Sequence, residues 1–193
     1  DYELIKEFSI SPSVKRTNIG FMGCAASLVG INSVWEAMNQ NFSENILMVS
    51  VELCSLHLQT EPTRDNILAN MIFADGAAAA YFSITNISNK KKLAIQLAES
   101  FLFQDSAKFM GWKIGNNGFE MMLSSELPKI ILNSAAPRAK EILVQKGIDI
   151  SAIKHWALHP GGRAILDSLQ NGLELSDEQL KQSREVLRNF GNL

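Results

Sequence analysis

The sequence predicts an α/β protein in which helices layer on a sheet. Three observations carry the prediction: apolar runs of strand length bounded by polar stretches, helical periodicity between them, and short connections rich in Gly, Pro, Asn and Ser. The chain has 193 residues, 46% of them hydrophobic and 20% charged, which is globular usage and excludes a disordered chain. At roughly 150 residues per domain, that length is one large domain or a little more, enough to bury a core. Eighteen Lys and Arg against twenty Asp and Glu leave a net charge of −2, which excludes a strongly basic nucleic-acid binder. The longest apolar runs, such as Ile46 to Val49 and Ala77 to Phe82, fall far short of the ~20 residues of a membrane helix, so no membrane anchor is expected.

In chain order, Leu4, Ile5 and Phe8 share one side of a short helical pattern that stops before Ser11-Pro12, because proline disfavours helix in the residue ahead of it. Val14 to Met22 reads as a strand running into Gly23-Cys24. Ala25 to Met38 is apolar at nearly every position, and a helix hydrophobic on most faces is a buried one. Cys24 is thereby expected at the N-terminal end of a helix deep in the core. Asn45 to Leu53 is a near-continuous apolar run, as in a strand covered on both faces.

The polar stretch His57 to Asn66, with Pro62, reads as a loop before a short helix from about Ile67. The Asp75-Gly76 turn leads into a strand, Ala77 to Thr85, whose alanines suit tight packing against a helix. Lys90-Lys91-Lys92 reads as a solvated turn and Leu93 to Phe103 as another strand. Gly115-Asn116-Asn117-Gly118 inside Trp112 to Leu123 has the chemistry of a tight connection between two strands. Ser124 or Ser125 would cap a helical segment from Pro128 to Lys146-Gly147, broken or kinked at Pro137. His155 to Leu158 reads as a short buried strand, Arg163 to Leu169 as helix, and Ser176-Asp177-Glu178-Gln179 as a capping box for a helix reaching Leu187 or Arg188. Asn189 to Leu193 carries helix-stop chemistry.

Cys24 is the sharpest chemical candidate, since a thiol at a glycine-flanked strand-to-helix junction meets the helix dipole and unpaired amides that favour a thiolate. A cysteine in an apolar segment is more often core filling, and a base is what changes those odds. His159 supplies one, ahead of Pro160-Gly161-Gly162, whose lack of bulk admits close approach by a ligand or another segment. Cys54 and His57 form Cys-x-x-His, but two ligands do not make a zinc site. Two cysteines allow at most one disulfide and fit no secreted framework, so a reducing, cytoplasmic setting is expected. The first residues lack an initiator Met and the features of a signal peptide, which predicts a chain that begins inside a longer protein.

The Gly-Cys-Ala-Ala junction, Phe73-Ala74-Asp75-Gly76-Ala77-Ala78-Ala79, His159-Pro160-Gly161-Gly162 and Phe190-Gly191-Asn192 occur in an order that resembles the type III polyketide synthases, the chalcone synthase-like enzymes of the thiolase superfamily. The resemblance runs across essentially the whole chain. It implies the thiolase-like layered αβαβα fold, here in part: the end of an N-terminal half with the nucleophile, about 1–88, and most of a C-terminal half, about 89–193. It implies an acyltransferase that joins an acyl-CoA starter to malonyl-CoA, with no cofactor beyond these CoA thioester substrates, in a homodimer.

Residue by residue, the resemblance implies that Cys24 is the acyl-accepting nucleophile, His159 the catalytic imidazole and Asn192 the amide completing the triad. Phe73 resembles the gatekeeper between the CoA tunnel and the reaction cavity, and Phe119 the second gatekeeping phenylalanine, with ordinary core packing as the alternative for both. Gly161, Gly162 and Ala164 resemble the stretch that lines the pantetheine tunnel. Asp75 is expected to satisfy turn amides, and Glu52 to be a paired structural carboxylate. His57 and Met110 stand where the family varies its cavity, and Ala26 and Ser27 replace glycines found in many members. Arg163-Ala164 and the stretch from Ser183-Arg184 to Asn192 also resemble the single-round 3-ketoacyl-CoA synthases; Pro160 and the lack of an anchor favour the polyketide reading. Basic residues for the CoA phosphates and a cyclisation loop fall outside these residues in the family, so the isolated chain is expected to have little or no synthase activity.

Overall fold

The computed structural model of the chain describes residues 1–85, 92–116 and 118–193. It divides into two compact units, Asp1–Ile46 with Ser83–Ala98, and Leu47–Phe82 with Glu99–Leu193. The half-boundary expected near residue 88 lies outside the described residues, as do Lys90 and Lys91 of the basic turn and Asn117 of the tight connection.

In the first unit, helix α1 (Tyr2–Glu7) ends ahead of Ser11-Pro12 as its pattern requires. The strand expected over Val14 to Met22 is absent: these residues pair with no ladder among the described residues. A 3-10 turn, Gly23–Ala25, leads directly into helix α2 (Ala26–Asn39). Only Gly30 and Val34 of α2 are buried, and Cys24 is exposed. This corrects the expectation of a core helix. An all-round apolar helix needs full cover on every side, and here the described residues fully bury only the face that carries Gly30 and Val34.

Strands β1 (Asn45–Glu52) and β2 (Gly76–Ser83) form a two-stranded sheet. Ile84 N–H donates to the Glu44 carbonyl at 3.1 Å and the Ser83 hydroxyl to Asn45 Oδ1 at 2.8 Å. The start of β1 therefore lies beside the end of β2, and the strands run in opposite directions. Burial alternates along β1, leaving Leu47, Val49 and Val51 exposed, so one face is covered rather than the two its apolar run implied.

In the second unit, Thr63 caps helix α3 (Arg64–Ile72) by accepting from Asn66 N, which starts the helix three residues before Ile67. Strands β3 (Met110–Gly115) and β4 (Gly118–Leu123) pair antiparallel in the expected hairpin, with Gly115 opposite Gly118 and Trp112 opposite Met121. The strands expected over Leu93 to Phe103 and His155 to Leu158 do not form; both stretches lack ladder partners among the described residues.

The segment after β4 is one helical run with a defect: α4 (Leu127–Ile130), a π turn (Ile131–Ala135) and α5 (Ala136–Gln145). Pro137 cannot donate to residue 133 and its ring crowds that carbonyl, so the widened π turn takes up the mismatch where a break or kink was expected. Helices α6 (Arg163–Leu173) and α7 (Asp177–Phe190) close against it. Between them the Ser176–Gln179 capping box is complete, with Gln179 Oε1 accepting from Ser176 N at 3.0 Å. Ala136, Leu166, Leu173, Leu175 and Leu180 make the buried core, with Trp156, Leu158 and Leu187 packed against it. Arg184 Nη2 ties α7 to α6 through Asp167 Oδ1 at 2.7 Å and Gln170 Oε1 at 2.5 Å.

Candidate active site

The C-terminal end of α7 builds one side of the site. Gly191 follows the helix at φ 83°, ψ −162°, a conformation closed to ordinary L-residues. A Cβ there would lie 2.8 Å from the Ile72 carbonyl oxygen. Glycine at this position lets the chain turn back onto the end of α3. Asn192 N–H then donates to that Ile72 carbonyl at 2.8 Å, and Ala74 N–H donates to the Asn192 carbonyl at 2.9 Å, bridging Phe73 and Asn192. Asn192 is only 3% exposed.

The His159-Pro160-Gly161 turn faces it. Gly161 N–H donates to the His159 carbonyl at 3.0 Å, and Asn192 Nδ2 donates to the Gly161 carbonyl at 3.4 Å. The imidazole lies over Gly161, since a Cβ there would sit 3.6 Å from His159 Nε2. That Nε2 is buried with no hydrogen-bond partner among the described residues. Burial pulls the His159 pKa below its ordinary 6.5, so the ring is neutral near neutral pH. Asn192 and His159, far apart in sequence, thus meet around Gly161. Gly162 is buried at the head of α6, and Ala164 is exposed on its first turn.

Phe73 and Phe119, both half-buried, are joined through Trp112, whose ring lies 6.3 Å from Phe73 and 6.4 Å from Phe119. His57 meets Phe119 edge-on at 5.5 Å. Gln59 Nε2 donates to the Phe119 carbonyl at 3.1 Å and fixes that strand to the loop before α3. Asp75 accepts from Ser55 N at 2.8 Å and Ser55 Oγ at 2.6 Å, as a turn-satisfying carboxylate should, and these bonds from Ser55, side chain first, lower its pKa. Glu52 accepts from the Leu53 amide at 3.1 Å. Cys24 lies in the first unit, at the head of the run into α2. Among the described residues no three His, Cys, Asp or Glu side chains converge as metal ligands, and no helix is long and apolar enough to cross a membrane.

Two family models match the chain: chalcone and stilbene synthases, C-terminal domain, over residues 94–193, and FAE1/type III polyketide synthase-like protein over residues 2–104. The chain belongs to the type III polyketide synthases. It is 31% identical to the alpha-pyrone synthesis polyketide synthase-like protein Pks18 of Mycobacterium tuberculosis, over all of this chain and 50% of that protein. Among solved structures it is similar to PKS-I of the brown alga Ectocarpus siliculosus, with 36% identity and a TM-score of 0.90 over 98% of this chain and 51% of that one. It is also similar to 1,3,6,8-tetrahydroxynaphthalene synthase of Streptomyces coelicolor, with 28% identity and a TM-score of 0.86 over 99% and 54%.

The fold is thus the α/β thiolase-like fold of the type III polyketide synthases, and the chain spans about half the length of the relatives it matches. Two residues join the site without a motif of their own: Trp112, the ring between two phenylalanines, and Ser183, whose buried hydroxyl accepts from the Leu158 amide. Trp112 was readable only as a strand residue. Ser183, a small polar residue in the run Leu180 to Leu187, shares a helix side with both leucines, which was a usable signal.

Proposed function

We propose that the polypeptide carrying this chain is a condensing acyltransferase that joins an acyl-CoA starter to malonyl-CoA by decarboxylative Claisen condensation. The observation that carries this reading is the buried, unpartnered Nε2 of His159 lying over Gly161, whose carbonyl accepts from the buried amide of Asn192. Cys24, at the head of α2 where the helix dipole favours a thiolate, attacks the starter thioester carbonyl; the CoA thiolate leaves and the acyl group stays on sulfur. Malonyl-CoA then loses CO2, and the electron pair of the broken bond forms an enolate. His159 Nε2–H and the second N–H of Asn192 Nδ2 donate to the enolate oxygen, preorganised donors aimed at developing charge. The enolate carbon attacks the acyl carbonyl, expels the Cys24 thiolate and leaves a 3-ketoacyl-CoA for a further round.

Phe73 and Phe119 bound the acyl cavity, and Gly161, Gly162 and Ala164 leave room for the pantetheine arm; an imidazole packed over a glycine suits such a path. The reaction belongs to a cytoplasmic homodimer, and the 193 residues alone have little turnover, in keeping with their spanning half the length of Pks18. The test is product mass spectrometry with carbon-13 malonyl-CoA and a panel of acyl-CoA starters, on the natural polypeptide and its Cys24→Ala form. Labelled products that vanish in Cys24→Ala are expected, carrying several malonyl-derived units. Products with one unit only would make the protein a single-round 3-ketoacyl-CoA synthase, and undiminished products in Cys24→Ala would end the reading.

A further inference from the structure

We propose that Ser183 is a positioning residue for the condensing site, clamping the base of the His159 turn to α7 while Asn192 clamps its far side. The inference rests on the roles proposed above for His159 and Asn192. Ser183 is 5% exposed, and its Oγ accepts from the Leu158 amide at 3.1 Å. Leu158 directly precedes His159. Two residues beyond His159, the Gly161 carbonyl accepts from Asn192 Nδ2. Both clamps come from α7 and the residues that end it, so the imidazole is held from either side by one rigid piece. That piece is itself fixed by fully buried Leu180, by the Ser176–Gln179 box and by Arg184 on Asp167 and Gln170.

The hydrogen bond also gives the Leu158 amide the acceptor that a ladder would otherwise supply. A half-buried amide with no strand beside it must find another acceptor, and a serine hydroxyl supplies it. A serine inside a helix ordinarily bonds back to its own fourth preceding carbonyl, as Ser33 does to Val29 at 3.1 Å. Ser183 instead reaches 25 residues along the chain to the backbone that presents the imidazole. A simple packing role would call for alanine, which fits a buried helix face and leaves the Leu158 amide unsatisfied.

The test uses the natural polypeptide and the forms Ser183→Ala, Ser183→Thr and His159→Gln, assayed well below their melting temperatures. Malonyl-CoA decarboxylation gives kcat and KM, and amide exchange at Leu158 reads the hydrogen bond itself. Ser183→Ala is expected to lose protection at Leu158 and to lower kcat roughly ten- to a hundredfold with KM held, as misplacement of a catalytic group does. Ser183→Thr, which keeps the acceptor, is expected to restore both. If Ser183→Ala does not fold, Ser183→Cys, of similar size and weak as an acceptor, is expected to show the same loss. Wild-type kcat in folded Ser183→Ala or Ser183→Cys, alongside a large loss in His159→Gln, would overturn the clamp alone. Wild-type kcat in His159→Gln would overturn the reading of the site and the clamp with it.

Discussion

Replacing Gly191 by alanine tests the link between backbone geometry and the site, because the methyl group meets two separate penalties. The first is conformational: φ 83° with ψ −162° is disfavoured for an L-residue by roughly 1–3 kcal/mol. The second is steric, since the new Cβ would lie 2.8 Å from the Ile72 carbonyl oxygen and 3.1 Å from the Ala74 Cβ. Overpacking of that kind costs about 1–3 kcal/mol where the neighbours cannot move. The Ile72 carbonyl cannot give way freely, because Asn192 N–H is bonded to it at 2.8 Å. There is a cheaper escape. Releasing that bond and the one from Ala74 N–H to the Asn192 carbonyl costs about 1 kcal/mol each, less than bearing both penalties in place.

The chain end should therefore lift from α3 and carry the Asn192 side chain away from Gly161. Gly191→Ala is expected to lower unfolding free energy by only about 2–4 kcal/mol, and to cut malonyl-CoA decarboxylation by roughly a hundredfold through lost positioning. Gly147→Ala is the control: its φ is 70°, with nothing within 4 Å of a new Cβ, so it should cost about 1 kcal/mol and leave kcat unchanged. Urea denaturation and steady-state decarboxylation on both variants decide it. A Gly191→Ala protein matching Gly147→Ala in stability and kcat would refute the reasoning.

Leu166 is fully buried among Ala136, Leu173 and Leu180, so Leu166→Ala should destabilise by roughly 2–5 kcal/mol in urea denaturation. For His159, burial makes the folded state bind a proton less readily than the unfolded chain. Its contribution is nil above the ordinary 6.5 and becomes a growing penalty as pH falls from there toward the lowered folded pKa. Stability measured from about pH 7 to 5 should therefore fall less in His159→Gln than in the wild type; parallel curves would contradict it. Ser176→Ala removes the capping acceptor of α7 and should cost about 1 kcal/mol in the same denaturation assay.

Local chemistry was legible where it acts within a few residues. The Ser176–Gln179 box, the Gly115–Gly118 hairpin and the helix stop at Gly191 each satisfy their own backbone groups, so the sequence alone specifies them. Strand pairing was not legible: Val14 to Met22, Leu93 to Phe103 and His155 to Leu158 have strand-like composition, but a ladder needs a partner that periodicity does not name. Burial of Cys24 was misread for a related reason, since an all-round apolar helix states a demand for cover and not who supplies it. The residues around His159 and Asn192 were legible as motifs, whereas their meeting over Gly161 depends on three elements packing together. The bond from the Leu158 amide to Ser183 was not legible, because the two residues lie 25 apart in the chain.

The central claim is that acyl groups pass through Cys24. Incubating the natural polypeptide with an acyl-CoA, quenching in acid and mapping the peptides by mass spectrometry tests it most directly. One acyl group on the Cys24 peptide is predicted, lost on treatment with hydroxylamine as a thioester is, and accumulating in Asn192→Ala when malonyl-CoA is present. An acyl group found on another residue, or a Cys24 peptide that stays unmodified while product forms, would contradict the account.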